Sequence, residues 1–195
     1  MMRKTMILLS SLALTTWVAG CRVNVDKDSS GNEKHVQVDT PFGGVHVNTD
    51  QTTAADLGLP VYPGAQILKD DDNNKPADVN IGFGDWKLRV RVVSYSSRDP
   101  QNKVEAFYKD ALGRYGPVLT CQNNAPVGTP TQTPAGLTCA DDRKHTNVDI
   151  GGGVQLKAGS KQRQHIVGFE KPKDGETRFS LVSLELPSGM DNSSD

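Results

Sequence analysis

The sequence predicts an α+β fold, in which one principal α-helix packs on one face of an antiparallel β-sheet and an N-terminal β-hairpin precedes both. Three observations predict it. Valines alternate with polar residues in the segment 22–50, a second pair of alternating segments flanks Gly84-Asp85, and apolar residues recur at helical spacing between 100 and 116. The 19 glycines and 11 prolines, with 6% aromatic residues, agree with a chain of strands and turns.

The first alternating segment predicts a small hairpin. Residues 40–43, Thr-Pro-Phe-Gly, have the composition of a tight turn, and folding the chain there pairs Val38 with Val45 and Val36 with Val47. Because alternate residues of a strand point to opposite faces, these valines share one face of the hairpin.

A second hairpin is predicted at Gly84-Asp85, which sets Phe83 opposite Trp86. This register brings every apolar residue of the two segments to one face. The residues are Val79, Ile81, Phe83, Trp86, Leu88, Val90 and Val92.

The helix is predicted to follow this hairpin. Asp99 is a candidate N-cap, Pro100 suits the first turn, and Gly116 is placed to end the helix after about 15 residues. One stripe of the helix is apolar, and we expect it to cover the apolar face of the Gly84-Asp85 hairpin as core. The stripe consists of Val104, Phe107, Tyr108, Ala111, Leu112 and Tyr115.

A last hairpin is predicted for residues 166–186, turning at residues 173–176. Its second strand breaks the period-two pattern between Leu181 and Val182. That break predicts either a β-bulge or a strand buried on both faces.

The first residues have the organisation of a secretory signal. Arg3 and Lys4 give a positive start, and residues 6–18 give an apolar run of about 13 residues. Crossing a bilayer in a helix takes about 20 residues, so this run indicates a targeting segment.

The run ends in Val18-Ala19-Gly20-Cys21, which resembles the lipobox of bacterial lipoproteins. The resemblance implies that a diacylglyceryl group is attached to the sulfur of Cys21, that residues 1–20 are removed, and that the protein contacts the membrane through this lipid anchor. By analogy with lipoproteins of bacteria with two membranes, Arg22 favours the outer membrane, facing the periplasm, because an aspartate there would favour retention at the inner membrane. The alternatives are an ordinary signal peptide with a chance cysteine, or a cytosolic chain with an apolar start.

These patterns divide the chain into four parts. Residues 1–20 are the signal peptide, and residues 21–52 are the lipid anchor with a small hairpin or tether. Residues 53–187 are the α+β domain, and residues 188–195 are a flexible tail.

The two remaining cysteines, Cys121 and Cys139, are predicted to form a disulfide, since an exported protein meets an oxidising compartment. They bracket a segment rich in proline, threonine and glycine, which the bond would hold to the domain. The alternative is two unrelated thiols, one of them reactive.

Charge argues against a nucleic-acid partner. Removing Arg3 and Lys4 leaves 20 basic residues against 23 acidic ones, or about −3 with neutral histidines. Nucleic-acid binding calls for a concentrated cationic surface, which this balance does not offer.

Metal and cofactor sites are not predicted. The acidic segment 70–74 fails the EF-hand template, which would need Gly at Lys75 and Glu at Ile81. His35 and His46 could lie diagonally on one strand face, but no third ligand is evident. We therefore expect neither a metal nor a cofactor.

Enzyme motifs are also missing from the exported part. It contains no Gly-x-Ser-x-Gly and no Ser-x-x-Lys, and the glycines at 151–153 lack the ending of a phosphate loop. Lys87, Arg89 and Arg91 share a strand face, but cross-strand pairing with residues such as Asp78 explains them without an anion ligand.

The sequence thus predicts a non-enzymatic envelope lipoprotein that presents a sheet face or its long loop to another envelope protein or a surface polymer. The turn at 62–65, Tyr-Pro-Gly-Ala, and the Phe107-Tyr108 pair also resemble a pattern of uncharacterised bacterial envelope proteins, which implies a fold and no activity. The alternative is a hydrolase or metal-dependent enzyme whose residues converge only in the fold.

Overall fold

The chain forms one antiparallel sheet and one helix in the parts that the structure describes. The computed structural model describes residues 21–27, 33–49, 51–68, 76–140 and 153–187. Within these ranges the elements are β1 (Arg22–Lys27), β2 (Glu33–Thr40), β3 (Gly43–Thr49), β4 (Gln66–Ile67), β5 (Ala77–Phe83), β6 (Trp86–Ser97), α1 (Gln101–Gly113), β7 (Leu119–Gln122), β8 (Ala125–Pro126), β9 (Val154–Gly159), β10 (Arg163–Phe169) and β11 (Thr177–Glu185).

The strands follow the order β1-β2-β3-β5-β6-β11-β10-β9-β7-β8, and β4 pairs with β6 beside this path. Every pairing is antiparallel. We call β1, β2, β3, β5 and residues 86–92 of β6 the N-terminal wing. The fold is therefore mostly sheet, and α1 is its single helix in the described ranges.

The predicted hairpins are confirmed in register. Val38 pairs with Val45 in the first hairpin, and Phe83 pairs with Trp86 in the second. In the last hairpin Lys173 bridges Glu176 at the predicted turn. Short turns fix the register of antiparallel neighbours, which explains why parity and turn residues were enough to predict these pairs.

The break in parity on β11 reflects burial on both faces. The pairing of β11 with β6 and β10 runs without a register shift, so the strand has no bulge. Leu181 and Val182 point to opposite faces, and both are buried. The second of the two predicted explanations is therefore correct.

The main core lies between α1 and the half of the sheet beyond the N-terminal wing. Val104, Tyr108 and Leu112 are the buried stripe of α1. They pack with apolar residues from the turn region before β4 and from β6, β11, β10 and β9. This cluster also contains Ala54, Leu57, Leu59, Tyr62, Val93, Tyr95, Leu156, Ala158, Val167, Phe169, Phe179 and Leu181.

The expectation that α1 covers the Gly84-Asp85 hairpin was wrong. Among the described elements α1 contacts β9 and β10, and the buried clusters contain none of Ile81, Phe83, Trp86, Leu88 and Val90. Strand parity explains the error. Leu88 and Val90 lie on one face of β6, whereas Val93 and Tyr95, which share the core cluster with the stripe of α1, lie on the other. The helix therefore packs on the face of the sheet opposite to the apolar residues of the Gly84-Asp85 hairpin.

The predicted N-cap also differs. Pro100 occupies the N-cap position of α1, with extended backbone angles, and no side chain caps this end. The carboxylate of Asp99 instead accepts a hydrogen bond from the Tyr62 hydroxyl at 2.7 Å, and Lys103 Nζ lies 3.4 Å from its other oxygen. Asp99 thus joins the helix start to the turn before β4.

Two strand phenylalanines test this division between covered and uncovered sheet. Phe179 is fully buried beneath α1, whereas Phe83 is 50% exposed. We expect Phe179→Ala to lower the free energy of unfolding by about 3 to 5 kcal/mol and Phe83→Ala by less than about 1 kcal/mol. Denaturant unfolding of the two variants measures both values. Equal losses would mean that Phe83 is covered as well as Phe179.

Candidate functional site

The N-terminal wing has one largely apolar face, which we call the valine face. Because β3 pairs with β5, the two predicted hairpins join into five adjacent strands with matched parity. Two complete rows of side chains cross these strands on the same face. One row consists of Val23, Val38, Val45, Ile81 and Leu88, and the other of Val25, Val36, Val47, Val79 and Val90.

The valine face is only partly covered. Val23 is 59% exposed and Val25 40% exposed, and the inner residues of both rows are half-buried. Neither buried cluster of the described residues includes a member of these rows. Contiguous apolar surface of this kind is rare on soluble proteins and marks an interaction surface.

The opposite face of the wing is polar and charged. Asp78 lies across from Arg91 and Asn80 across from Arg89, as predicted. Arg89 Nε donates to Asp78 Oδ1 at 3.0 Å, Arg89 Nη2 donates to the other carboxylate oxygen, and Arg91 Nε lies 3.6 Å from that oxygen. The hydrogen bond to Asp78 raises the pKa of Arg89. One carboxylate thus serves both guanidinium groups.

A polar cavity of about 340 Å³ lies beside this ion-pair group. The turn carrying Asp56 closes one side, and the backbone carbonyl of Asp56 accepts a hydrogen bond from Arg91 Nη1. Thr53 donates to the Asp56 carboxylate from its N–H at 2.8 Å and its hydroxyl at 2.7 Å, which lowers the pKa of Asp56. The contact between Thr53 and Asp56 closes this turn, and the cavity's charged groups are held by their neighbours. Its lining consists of Asn48, Gln51, Thr52, Asp56, Asp78, Arg89 and Arg91.

The two strand histidines lie on this polar face, diagonal to each other as predicted. His35 Nδ1 is 2.7 Å from Asn48 Oδ1, and His46 Nε2 is 3.0 Å from Asp39 Oδ1. Within the described ranges no group of three or more His, Cys, Asp or Glu is placed to hold a metal ion. The acidic segment 70–74 and His145 lie outside the described residues.

Cys21, the predicted lipidation residue, is exposed and directly precedes β1. Arg22 pairs with Asp39 and Thr40 pairs with Gly43, so Cys21 lies at the end of the wing where the chain turns from β2 to β3. No described contact of the fold depends on its thiol, which is the free one of the described cysteines.

Cys121 and Cys139 form a disulfide, as predicted, with a Cα–Cα distance of 5.6 Å. Both are buried, together with Leu119 and Leu137, in a second small cluster. Thr133 extends the attachment, because its hydroxyl donates to the Gly159 carbonyl at 3.1 Å. The bond therefore holds the segment between the cysteines against the edge of the sheet near β7 and β9.

Sequence reasoning missed the continuity of the valine face. It treated the two hairpins as separate elements, although both carry the same period-two pattern of apolar and polar residues. The missing information was the pairing of β3 with β5, because residues 50–76 separate these strands in the sequence and a two-residue hairpin turn does not join them.

Comparison with known proteins adds no further assignment: no family model, curated protein or solved structure matches the chain. Among the described residues, no helix has both the length and the apolar character that a membrane span needs.

Removing the disulfide should destabilise the domain. We expect Cys121→Ala/Cys139→Ala to lower the free energy of unfolding by about 3 kcal/mol, because the bond closes a loop with a sequence separation of 18. Reductant should lower the unfolding midpoint of the wild type but not that of the double variant. A wild-type midpoint that ignores reductant would contradict a stabilising bond.

The titration of His165 should make the free energy of unfolding depend on pH. Its ring stacks on Tyr115 with centroids 3.6 Å apart, and burial lowers its pKa below the usual 6.5. In the window between the lowered pKa and 6.5, the unfolded chain binds the proton more strongly, so acidification favours unfolding. We expect the unfolding free energy of the wild type to fall more steeply than that of His165→Phe as pH drops from about 7 to about 5. Parallel curves for the two proteins would contradict this assignment.

Proposed function

We propose that this protein is a membrane-anchored lipoprotein of the bacterial cell envelope, with acyl chains on Cys21 and a non-enzymatic binding or structural domain behind it. The observation that carries the proposal is the position of Cys21. It follows a signal-like segment in the sequence, and it is exposed at the very start of β1. A bulky group on its sulfur would displace no packed residue.

The disulfide supports export. A bond between Cys121 and Cys139 persists in an oxidising compartment, whereas cytosolic thiols are kept reduced. Using these two cysteines structurally leaves Cys21 as the available thiol of the described chain. The three cysteines therefore divide into one for attachment and two for stability.

The free energy of burying acyl chains in the bilayer would determine how long the lipid anchor holds the protein. Each buried methylene contributes about 0.8 kcal/mol, so one acyl chain holds a protein only briefly, whereas two or three hold it durably. A diacylglyceryl group on the Cys21 sulfur supplies two chains. Arg22, rather than an acidic residue, at the next position supports delivery to the outer membrane, facing the periplasm.

The polar groups support a binding or structural role over catalysis. In the 340 Å³ cavity the side chain of Asp78 is shared by Arg89 and Arg91, an arrangement typical of structural ion pairs. The charged face of the wing is available to another envelope protein or a surface polymer. The modest net charge supports a partner other than nucleic acid.

Replacing the anchoring residue tests the proposal. In cells, Cys21→Ser should abolish acylation and move the protein from the detergent-rich phase to the aqueous phase after phase separation. The matched control is Cys121→Ser/Cys139→Ser, which alters the other two cysteines and should remain acylated. Mass spectrometry of the N-terminal peptide checks both proteins.

Two results would contradict the lipoprotein assignment. One is a wild-type N-terminal peptide without acyl chains. The other is a Cys21→Ser protein that is processed and partitions into detergent like the wild type.

A further inference from the structure

We propose that the end of the N-terminal wing beside Cys21 is a second membrane contact, in which Phe42, Phe83 and Trp86 enter the interfacial region of the bilayer next to the acyl chains. We call these three residues the aromatic end. The inference rests on the proposed lipid anchor for its orientation, and it adds a surface of the folded domain to that anchor.

Strand register brings the aromatic end and Cys21 together. Phe83 pairs with Gly43 on one side and Trp86 on the other, and Phe42 is in the turn just before Gly43. Cys21 precedes the pair Arg22–Asp39 at the same end of the neighbouring strands. Four strand spacings of about 4.8 Å separate β1 from β6, so the whole edge is about 19 Å wide.

Side-chain parity gives these residues a common direction. Phe83 and Trp86 lie on the valine face, continuing the rows of Ile81 and Leu88. Cys21 is two residues before Val23, which also belongs to this face. A group on the Cys21 sulfur would therefore leave the sheet on the side where the two aromatic rings lie.

Exposing the rings of the aromatic end to water is unfavourable, and the fold does not require this exposure. Phe42 is 84% exposed, and Phe83 is 50% exposed. The turn is held by Thr40, whose hydroxyl donates to the Gly43 carbonyl at 2.7 Å and accepts from the backbone N–H of Phe42 at 3.4 Å, so the ring of Phe42 contributes nothing to these hydrogen bonds. An apolar ring at a turn tip is disfavoured in water but suits a membrane interface.

Gly43 allows Phe83 to adopt its position. A Cβ at residue 43 would lie 2.7 Å from Phe83 Cδ1 and would clash with the Gly82 carbonyl oxygen. The absence of a side chain lets the ring of Phe83 lie against β3, with its centroid 6.2 Å from that of Trp86. The two rings thus form one apolar surface beside the turn that carries Phe42.

The placement favours a bilayer over a second copy of the chain. A second copy packing face to face would cover the rows of valines in the middle of the sheet. It would leave Phe42 outside, because that residue is at the tip of the turn and not in a row. A bilayer at the end of the strands covers all three aromatic residues at once, and phenylalanine and tryptophan are favoured at that depth.

Tryptophan fluorescence tests the contact directly. The chain has two tryptophans, Trp17 and Trp86, so Trp17→Phe leaves Trp86 as the reporter whether or not residues 1–20 are removed. The acylated full-length product is reconstituted into phosphatidylcholine vesicles, with and without bromine on the lipid acyl chains. We expect brominated lipid to reduce Trp86 emission by about half or more, because bromine quenches tryptophan only at close range within the bilayer.

Two further single-tryptophan proteins locate the contact. In the Trp17→Phe/Trp86→Phe background, Phe42→Trp places the reporter at the turn tip and should be quenched as strongly as Trp86. The matched control is Val127→Trp, which places it at a residue that is 51% exposed just after β8, at the opposite edge of the sheet. Its emission should be unaffected by brominated lipid.

The outcomes separate this inference from the lipoprotein proposal. If mass spectrometry finds acyl chains on Cys21 but no reporter at the aromatic end is quenched, the contact is refuted and the anchor stands. If Cys21 carries no acyl chain but Trp86 is quenched when vesicles are added, the anchor is refuted and the contact stands. A blue shift of Trp86 that depends on protein concentration and not on lipid would overturn the contact in favour of a second copy.

Discussion

Cross-strand pairing along β6 is the interaction on which the rest of the structure depends. Its first residues pair with β5, its last residues pair with β11, and residues 89–92 pair with both. The two faces of β6 differ in burial: Leu88 and Val90 on one face are half-buried, whereas Val93 and Tyr95 on the other face are buried in the cluster that contains the stripe of α1. Because β6 pairs with β11 without a register shift, even and odd residues keep to opposite faces along the strand. The valine face therefore has no covering helix, since α1 packs against the opposite face of the sheet.

Local elements of this fold could be predicted from the sequence because short-range rules determine them. The turn at Gly84-Asp85 and the alternation on both sides fix seven strand pairs, from Ala77–Val92 to Phe83–Trp86. The position of α1 could not be predicted in the same way. Its apolar stripe matches any apolar sheet face in composition, and only the three-residue connection after Ser97 restricts it to one end. The role of Asp99 could not be predicted from local sequence either. Its carboxylate, a candidate helix cap, accepts a hydrogen bond from the distant residue Tyr62.

The candidate site likewise has features that the sequence predicts and features that depend on long-range strand pairing. Counting cysteines was enough to predict the Cys121–Cys139 bond, because setting Cys21 aside leaves two cysteines and one pairing. The continuity of the valine face needed the order of strands, which depends on β3 meeting β5 across an intervening segment. Neither hairpin alone identifies Cys21, Phe42 and Trp86 as neighbours along one edge. Residues far apart in sequence become one surface only through that non-local pairing.

The two proposed membrane contacts would reinforce each other physically. Three aromatic residues, of which Trp86 is half-buried, offer less apolar area than two acyl chains and bind a bilayer more weakly. Acyl chains on Cys21 would hold the same edge at the bilayer. The aromatic residues would then meet the bilayer at a far higher effective concentration than in free solution. Under that condition a weak contact is sufficient to restrict the tilt of the sheet.

A single flexible anchor leaves the domain free to rotate, whereas two contacts along an edge about 19 Å wide align the strands with the membrane normal. The charged face, with Asp78, Arg89 and Arg91, would then stand at a fixed height and remain accessible to a partner in the compartment.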